Sequence, residues 1–313
     1  MVKTDDKIFF SVGIMAYNNA QYISKAISSV LNQTFDNWEL IISDDNSSDN
    51  TEQIVRPYLN DSRIKYKKHS VNLGQADNWK YVISNSRGVY FATLHADDFW
   101  DWNYLRTAYH HIKKDSYEII QYNWVKIDES NNNIGTGPLK IHKVLSNLEF
   151  LRIQLERFTC LPSATIFKRD LAKVIDYPDS KYKFAVDLQF FIKLAIHIRL
   201  AVQIDENLVY YRIHNNSATS NFGSGENWRK ERKILRKDLE HYFKNENVKS
   251  AFLRLLKSKE AQWAFESALI NAKIGNKIEC KLDMKEGMGL TTIPNFKNFK
   301  LFMKVFYYLK QIK

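Results

Sequence analysis

Short apolar runs and amphipathic segments alternate through the first hundred residues. The apolar runs predict buried strands over residues 9–15, 38–43, 64–67 and 89–94. The segments between them have apolar residues at helical spacing and predict helices over 20–33, from Asp49 to near Pro57, and over 75–86. Asp49 is the predicted N-cap of the second helix because Glu52 follows three residues later. The alternation predicts an α/β domain whose mostly parallel sheet is flanked by helices.

The residues directly after these strands are candidate ligand-binding positions, because ligands of such sheets bind beyond the carboxyl ends of the strands. The loops at 44–49 and 95–98 each carry adjacent carboxylates, Asp44-Asp45 and Asp97-Asp98. A divalent cation fits the Asp97-Asp98 pair, since Mg²⁺ takes one or two carboxylates together with substrate phosphates. A carboxylate of the Asp44-Asp45 pair can accept a hydrogen bond from a nucleobase imide N–H. Helix-capping acids in a solvated turn explain Asp97-Asp98 equally well by spacing alone, and a turn with an N-cap is the favoured explanation of Asp44-Asp45 taken alone.

The later part of the chain has a mixed pattern. Strands are predicted over 117–127, 163–167 and 208–213, a loop over 131–138 and a helix over 186–198. From Glu226 onward the pattern is helical and basic. The Gly- and Ser-containing stretch 221–225 is the predicted boundary between a domain of residues 1–220, with halves 1–105 and 106–220, and a helical region of residues 221–313.

Composition and charge narrow the class of protein. Hydrophobic residues make up 44% of the 313-residue chain, which excludes dominant disorder, and two cysteines are too few for a disulfide framework or a Cys-rich zinc site. The net charge of +11 suggests an anionic partner. Residues 1–105 carry −3 (10 Lys and Arg against 13 Asp and Glu), whereas residues 226–313 carry +10 (20 against 10). The motif-bearing region is acidic, which argues against nucleic acid as the partner.

Five segments, in this order and spacing, closely resemble the family 2 glycosyltransferases. The match is strong over residues 8–105 and extends to about 220, and it favours the bacterial polysaccharide-synthesis branch with the GT-A fold, a Rossmann-like sheet flanked by helices. The segments are SVGIMAYNN (11–19), SSVLNQTF (28–35), DDNSSDNT (44–51), NLGQADN (72–78) and GVYFATLHADD (88–98).

The resemblance implies a binding site for the nucleotide base of a UDP-sugar. Tyr17 matches an aromatic residue beside the base, and Asp44 matches the acid that accepts a hydrogen bond from the uracil N3–H. Met15 and Ala16 stand where the family commonly has Pro-Thr. The side-chain hydroxyl contact is therefore lost, and any contact there would use the backbone.

The resemblance also implies a metal and diphosphate site. Asp97 matches the acid near the ribose, and Asp98 matches the acid that binds Mn²⁺ or Mg²⁺ bridging the diphosphate. His95 replaces a frequent Asp. His214 would reach back toward the metal or the diphosphate, with Arg212 beside it, although a lone histidine after a strand is equally well explained as structural.

Two further residues are implied on the acceptor side. Asp187, at the start of a predicted helix, matches the catalytic base, with Asp176 and Asp179 as nearby alternatives. A helix N-terminus favours the ionised carboxylate and does not raise its pKa, and a capping role also explains Asp187. Trp100 would stack on an acceptor sugar, or would be a core aromatic.

The segment 294–313 has five lysines and no acid, with lysines on one helical side and aromatic and aliphatic residues on the other. This pattern is typical of an interfacial helix on an anionic membrane, and equally of a packed terminal helix with a solvated lysine face. The chain has no stretch of 18 apolar residues and no apolar leader. We therefore expect a cytoplasmic protein, peripheral on the inner face of the membrane. The C-terminal helices would also suit a homo-oligomer interface.

These observations predict an inverting, metal-dependent glycosyltransferase that moves a hexose or N-acetylhexosamine from a UDP-sugar to a hydroxyl of a lipid-linked glycan. Three alternatives stay open: a sugar-nucleotide-binding protein without transfer activity, a sugar-phosphate nucleotidyltransferase and a nucleic-acid-binding protein. The nucleotidyltransferase would carry a Gly-rich basic loop after the first strand, which MAYNN (15–19) is not.

Overall fold

The structure is a computed structural model that describes residues 7–139, 141–157, 159–214, 226–245, 250–273, 277–290 and 300–305. The chain divides into two compact units. The first comprises residues 1–154 and 159–217, and the second comprises residues 155–158 and 218–313.

The first unit contains a ten-stranded sheet among its described residues. Its strands are β1 (Phe10–Ala16), β2 (Trp38–Asp44), β3 (Ile64–Lys68), β4 (Tyr90–His95), β5 (Phe99–Trp100), β6 (Ile119–Ile127), β7 (Asn133–Thr136), β8 (Lys143–Ser146), β9 (Thr165–Lys168) and β10 (Leu200–Arg212). Its helices are α1 (Ile23–Leu31), α2 (Thr51–Val55), α3 (Gln75–Ser84), α4 (Tyr104–Asp115), α5 (Asn147–Arg157, whose last turn is assigned to the second unit), α6 (Leu171–Val174) and α7 (Val186–His197). Short 3-10 turns lie at Arg56–Asn60 and Pro162–Ala164.

The strand order is β3-β2-β1-β4-β9-β6-β10-β5, with β7 added beside β6 and β8 beside β10. Strands β1 to β4 are parallel, β9 runs antiparallel between β4 and β6, and β6 and β10 are parallel. The register places Ala16 beside Asp44 and Met15 beside His95. The carboxyl ends of β1, β2 and β4 therefore meet at one edge of the sheet, as the alternation of elements predicts.

Helix packing follows the apolar spacing. Helix α1 buries residues three and four apart, namely Ile23, Ala26, Ile27 and Val30, in the core cluster that contains β1 and β2. On the other side of β1, Gly13 permits a close approach, because a Cβ there would lie 2.5 Å from Phe91 Cζ and 2.8 Å from Val82 Cγ2. The segments that carry the loops of the site are thus held from both sides.

Several elements differ from the sequence-based expectations. The predicted loop over 131–138 is wrong, because Asn133–Thr136 forms β7 and pairs with β6. The N-cap of α2 is Asn50, one residue after Asp49. The strand expected over 208–213 is the end of the longer β10. Helices α4 and α5 were not predicted, although the buried positions of α4, namely Tyr104, Leu105, Ala108 and Ile112, have helical spacing.

The second unit contains α8 (Glu226–Asn245), α9 (Ser250–Lys273), α10 (Lys277–Leu290) and helical residues 300–305. Ala268, Cys280 and Val305 belong to one buried cluster, against which Phe302 packs. Lys300 and Lys304 are exposed. Within 300–305 the apolar side is thus partly packed, while the rest of the predicted C-terminal helix lies outside the described residues. Among the described helices, none is both long and apolar enough to cross a membrane.

Candidate active site

The loops after β1 and β2 are bound to each other at the edge of the sheet. Asn18 and Asn46 adopt positive φ angles of 53° and 64°. The Asn18 N–H donates to Ser47 Oγ at 2.9 Å, and Asn18 Oδ1 accepts from the Ser48 N–H at 2.9 Å. Tyr17 lies at this junction with 53% of its surface exposed. The loops therefore present one open aromatic face on a rigid support.

Asp44 ends β2 and is buried. Its Oδ1 accepts from the Ser47 N–H at 2.7 Å, and its Oδ2 accepts from the Tyr66 hydroxyl at 2.6 Å. Burial and the neighbouring Asp44 carboxylate raise the pKa of Tyr66, so this hydroxyl stays protonated and acts as a donor. The orientation of the Asp44 carboxylate is thus fixed by two donors.

The rest of the base-side edge is held by backbone contacts. Met15 is half-buried and Ala16 is buried, and the Ala16 carbonyl accepts from the Asp45 N–H at 2.8 Å. The Asp45 carboxylate accepts from the Gly74 N–H at 3.0 Å and also from the Leu73 N–H at 2.5 Å. Asp45 therefore fixes the loop that leads into α3.

The loop after β4 brings together three side chains that could hold a metal. The ligating atoms of His95, Asp97 and Asp98 all lie within 4.8 Å of one another. A cluster of one imidazole and two carboxylates offers the nitrogen and oxygen ligands that Mn²⁺ and Mg²⁺ accept. These donors differ in their accessibility and in their partners.

Asp98, the residue expected to bind the metal, faces into the protein and is 1% exposed. Its Oδ1 accepts from the Arg212 N–H at 2.9 Å, and its Oδ2 accepts from the Ser163 hydroxyl at 2.6 Å. Burial and the Asp97 charge raise the pKa of Asp98 well above its ordinary value. These contacts make Asp98 an anchor of the loop, and its role as a metal ligand stays a prediction.

Asp97 is the accessible member of the pair, with 21% of its side chain exposed. His214 Nε2 lies 3.0 Å from Asp97 Oδ2. Burial raises the pKa of Asp97, but the hydrogen bond from His214 and the adjacent His95 outweigh it and hold that pKa below its usual value. His214 therefore contacts this loop through Asp97, and its role toward the metal or the diphosphate stays a prediction.

Arg212, expected near the diphosphate, is 2% exposed and donates inside the protein. Its Nε donates to the Asp97 carbonyl at 2.9 Å, and its Nη1 donates to the carbonyls of Asp128 at 2.9 Å and Glu129 at 3.2 Å. Its Nη2 donates to Asn131 Oδ1 at 2.8 Å. The guanidinium thus joins the loop after β4 to the turn between β6 and β7.

Trp100, expected as either an acceptor platform or a core aromatic, is 3% exposed. Its ring stacks on Tyr104 with centroids 4.1 Å apart, and its Nε1 donates to the Ser163 carbonyl at 2.7 Å. The ring face that a sugar would need is covered by Tyr104. The structure therefore favours the core alternative.

Asp187 lies in the first turn of α7, where its Oδ1 accepts from the Leu188 N–H at 2.7 Å. Burial raises the pKa of Asp187 to about 6, which overcomes the helix N-terminus that favours ionisation. Burial and the Asp187 charge also raise the pKa of Cys160, so Asp187 lies within electrostatic reach of Cys160. Ser163, three residues farther along, contacts Asp98. One short segment thus links Asp187 to the metal loop.

The two alternative bases have different surroundings. Burial raises the pKa of Asp179, but the hydrogen bond and charge of Lys181 hold it below its ordinary value, and the two side chains form an ion pair of 2.8 Å. Asp176 has a positive φ of 59° in the turn after α6. Asp187 therefore differs from Asp179, because burial raises the pKa of Asp187 whereas Lys181 holds the pKa of Asp179 down.

Ser163 and Tyr66 contact the candidate acids directly and were not predicted from the sequence. Tyr66 lies in a predicted strand with alternating buried and exposed positions. That pattern does not indicate that its hydroxyl contacts Asp44. No feature of the sequence indicates the contact between Ser163 and Asp98, because the segment of Ser163 reaches Asp98 only through the insertion of β9 between β4 and β6.

Comparisons with known proteins agree with this geometry. Residues 11–175 match the family described as "Glycosyl transferase family 2". An uncharacterized glycosyltransferase of Methanocaldococcus jannaschii is 30% identical over 222 residues, which are 69% of this chain and 74% of that protein. WfgD of Escherichia coli, named a UDP-Glc:alpha-D-GlcNAc-diphosphoundecaprenol beta-1,3-glucosyltransferase, is 35% identical over 146 residues, which are 45% of this chain and 57% of that protein.

A similar fold is present in the crystal structure of S. aureus TarS 1–349 in complex with UDP-GlcNAc. The TM-score is 0.68 at 18% identity, and the match covers 97% of this chain and 92% of that chain. The fold is therefore of the GT-A type, with a C-terminal helical region. Because the family match covers more than half of the chain, this protein belongs to glycosyl transferase family 2 and is a glycosyltransferase.

Proposed function

We propose that this enzyme transfers a sugar from a UDP-sugar to a hydroxyl group of a lipid-linked glycan. The observation that carries the proposal is the meeting of Tyr17, Asp44 and the Asp97–His214 pair at the carboxyl edge of one parallel sheet. The names of two similar proteins support the substrate classes, since WfgD is named for UDP-Glc and a diphosphoundecaprenol-linked sugar, and TarS was crystallised with UDP-GlcNAc.

Tyr17 and Asp44 would bind the uracil. The exposed ring of Tyr17 offers a stacking face, and the Asp44 carboxylate, oriented by Ser47 and Tyr66, would accept from the N3–H. The Asp44 oxygens retain lone pairs beyond those two bonds, because each carboxylate oxygen can accept twice. Ala16 and Met15 would line the base through their backbone.

Asp97 and His214 fit a divalent metal, either Mn²⁺ or Mg²⁺, at this edge. They are a carboxylate and an imidazole 3.0 Å apart, and Asp97 is accessible whereas Asp98 is not. When bound, such a metal neutralises the charge of the leaving diphosphate. Asp98 keeps Asp97 in place, and Arg212 supports the same loop from inside the protein.

Asp187 would act as the catalytic base in a single displacement that inverts the anomeric carbon. A base works best when its pKa lies near the working pH, and a pKa of about 6 leaves Asp187 mostly ionised at neutral pH yet basic enough to take the proton of the acceptor hydroxyl. Burial in the protein provides this value without a neighbouring charge as the cause.

Asp187→Asn tests the proposal, with Asp179→Asn as the matched control in the same unit. We expect Asp187→Asn to lower the transfer rate by about 10²- to 10⁴-fold while UDP affinity stays unchanged, because the base contacts the acceptor and not the nucleotide. Asp179→Asn should keep its turnover. Near-full turnover by Asp187→Asn would refute the base assignment. If the wild type binds a UDP-sugar but transfers no sugar, the protein is a sugar-nucleotide-binding protein and the proposal is wrong.

The acceptor side of the proposal rests on charge. Residues 226–313 carry a net +10, which suits a diphosphate-linked acceptor at the anionic inner face of the cytoplasmic membrane. Sedimentation with vesicles of phosphatidylglycerol, compared with vesicles of phosphatidylcholine, tests this placement. We expect binding to the anionic vesicles that weakens with salt, and equal binding to both would contradict it.

A further inference from the structure

We propose that Ser163 and Arg212 are positioning residues that hold the metal-binding loop from two sides, Ser163 through Asp98 and the Arg212 side chain through the Asp97 carbonyl, so that the Asp97 side chain points at its ligand. The inference rests on the proposed function, because it assigns these residues a role toward the metal that Asp97 and His214 would hold. Neither residue contacts the metal in this account.

Ser163 fastens the loop at three points. Its hydroxyl donates to Asp98 Oδ2 at 2.6 Å and accepts from the His95 N–H at 3.1 Å. Its carbonyl accepts from Trp100 Nε1 at 2.7 Å. These contacts fall on both ends of the loop and on β5, and Ser163 is fully buried. A single residue thus holds the chain between β4 and β5, through its hydroxyl and its backbone carbonyl.

The position of Ser163 is itself fixed by a buried polar network. Four uncharged residues on β6, α5, β10 and the segment before Ser163 hydrogen-bond to one another: Gln121, Gln154, Gln203 and Thr159. All four are buried, so the network is inaccessible to water and its geometry is well defined. The network thereby holds the segment 159–163 in a fixed position against the sheet.

Arg212 holds the opposite side of the loop. Its N–H donates to Asp98 Oδ1 at 2.9 Å, and its Nε donates to the Asp97 carbonyl at 2.9 Å. Each oxygen of Asp98 therefore accepts one hydrogen bond, one from the Ser163 hydroxyl and one from the Arg212 backbone N–H. The carbonyl of Asp97 is bonded inward, which leaves its carboxylate directed toward His214.

Removing the Ser163 hydroxyl would leave a buried oxygen of Asp98 without a donor, whereas replacing the Arg212 guanidinium would keep the backbone N–H on Asp98 and take the donor from the Asp97 carbonyl. In either case the loop would relax to restore a donor. Residues that orient a metal ligand in this way typically change metal affinity by about 10- to 100-fold when replaced. A residue that serves only the stability of the fold would not change metal affinity selectively.

Ser11 provides a matched control in the same unit. It is a buried serine whose hydroxyl donates to a buried carboxylate, Glu39, at 2.7 Å and accepts from the Gly88 N–H at 2.8 Å. These are the same kinds of contact that Ser163 makes. Ser11 lies at the start of β1, away from the carboxyl edge that carries the metal loop.

The test is a titration of Mn²⁺ into the full chain with saturating UDP, in which free Mn²⁺ is measured by electron paramagnetic resonance. We expect Ser163→Ala and Arg212→Lys to weaken Mn²⁺ binding by about 10- to 100-fold. Ser11→Ala should leave it unchanged although it lowers the urea midpoint comparably. The turnover of Ser163→Ala should recover at high Mn²⁺, with kcat near the wild-type value.

The variant Asp98→Asn tests whether Asp98 anchors the loop or binds the metal. It also takes the place of Ser163→Ala if that variant fails to fold. The asparagine can keep both contacts, so its Mn²⁺ affinity should stay within about tenfold of the wild type, whereas Asp97→Asn should lose binding. Equal losses for Asp98→Asn and Asp97→Asn, or equal affinities for Ser163→Ala and Ser11→Ala, would overturn the inference while the proposed function stands. Failure of the wild type to bind Mn²⁺ with UDP would overturn both.

Discussion

Replacing Asp187 with asparagine should make the enzyme more stable at pH 8 while removing its activity. Burial raises the pKa of Asp187 from 3.8 to about 6 in the folded protein. The carboxylate that the proposed mechanism requires is therefore held in surroundings that disfavour its charge. Asparagine has nearly the same shape, keeps an oxygen for the Leu188 N–H, and carries no charge.

The sign of the effect follows from the two pKa values. Below pH 3.8 the carboxyl is protonated in both the folded and the unfolded chain, and it has no ionisation cost. Between pH 3.8 and 6 the unfolded chain ionises first, so the free energy of unfolding falls as the pH rises. Above pH 6 the full cost applies, and a shift from 3.8 to about 6 corresponds to about 3 kcal/mol.

Urea unfolding of the wild type and of Asp187→Asn at pH 4 and pH 8 measures this cost. The difference between variant and wild type should be more favourable at pH 8 by about 2.5 kcal/mol, since a small part of the cost is already present at pH 4. Any pH-independent penalty of the new amide cancels between the two pH values. Asp179→Asn is the control with the opposite sign, since Lys181 holds the pKa of Asp179 below its ordinary value. A difference that is the same at both pH values would refute the raised pKa.

Three further predictions concern the same site. The kcat/KM should fall tenfold per unit as the pH drops below about 6, because Asp187 must be ionised to act as a base; a pH-independent rate would contradict this. Tyr66→Phe removes one of the two donors to Asp44 and should weaken UDP binding, measured by calorimetry, by about 1 kcal/mol. Trp100→Phe should lower the free energy of unfolding by about 1–3 kcal/mol, since the Ser163 carbonyl loses its donor, without changing the KM for the acceptor. A selective rise in that KM would instead indicate a sugar contact.

The placement of the residues proposed to bind the nucleotide was predictable, because it follows directly from the order of the elements. Strand periodicity places the ends of β1, β2 and β4 together, and this alone brings Tyr17, Asp44 and the Asp97-Asp98 pair to one edge. The parallel register, with Ala16 beside Asp44, agrees with that expectation.

The roles of adjacent residues were not predictable from the order of the elements. Asp97 and Asp98 are neighbours in one loop, and only the contacts from Ser163 and Arg212 show which carboxylate faces inward. Those contacts depend on β9 and β10, which lie on the far side of β4 and enter the sheet through long connections. The role of Trp100 was ambiguous for the same reason. Whether a tryptophan after an acid packs in the core or faces a ligand depends on its neighbours in the fold.

The raised pKa of Asp187 could not be predicted from the sequence either. Its place at a helix N-terminus predicts a carboxylate that ionises readily. Burial in the folded unit reverses that preference and gives the value of about 6. Spacing along the chain indicates which turn a residue occupies, but not how much of its side chain remains in water.

The binding of UDP, measured by calorimetry with and without Mn²⁺, tests the central claim most directly. We expect Mn²⁺ to tighten UDP binding by about 5- to 150-fold in the wild type, because the metal held by Asp97 and His214 would contact the diphosphate. Asp97→Asn should bind UDP weakly and without a response to Mn²⁺. UDP binding that is absent, or that is equally tight with and without Mn²⁺ in the wild type, would contradict the account.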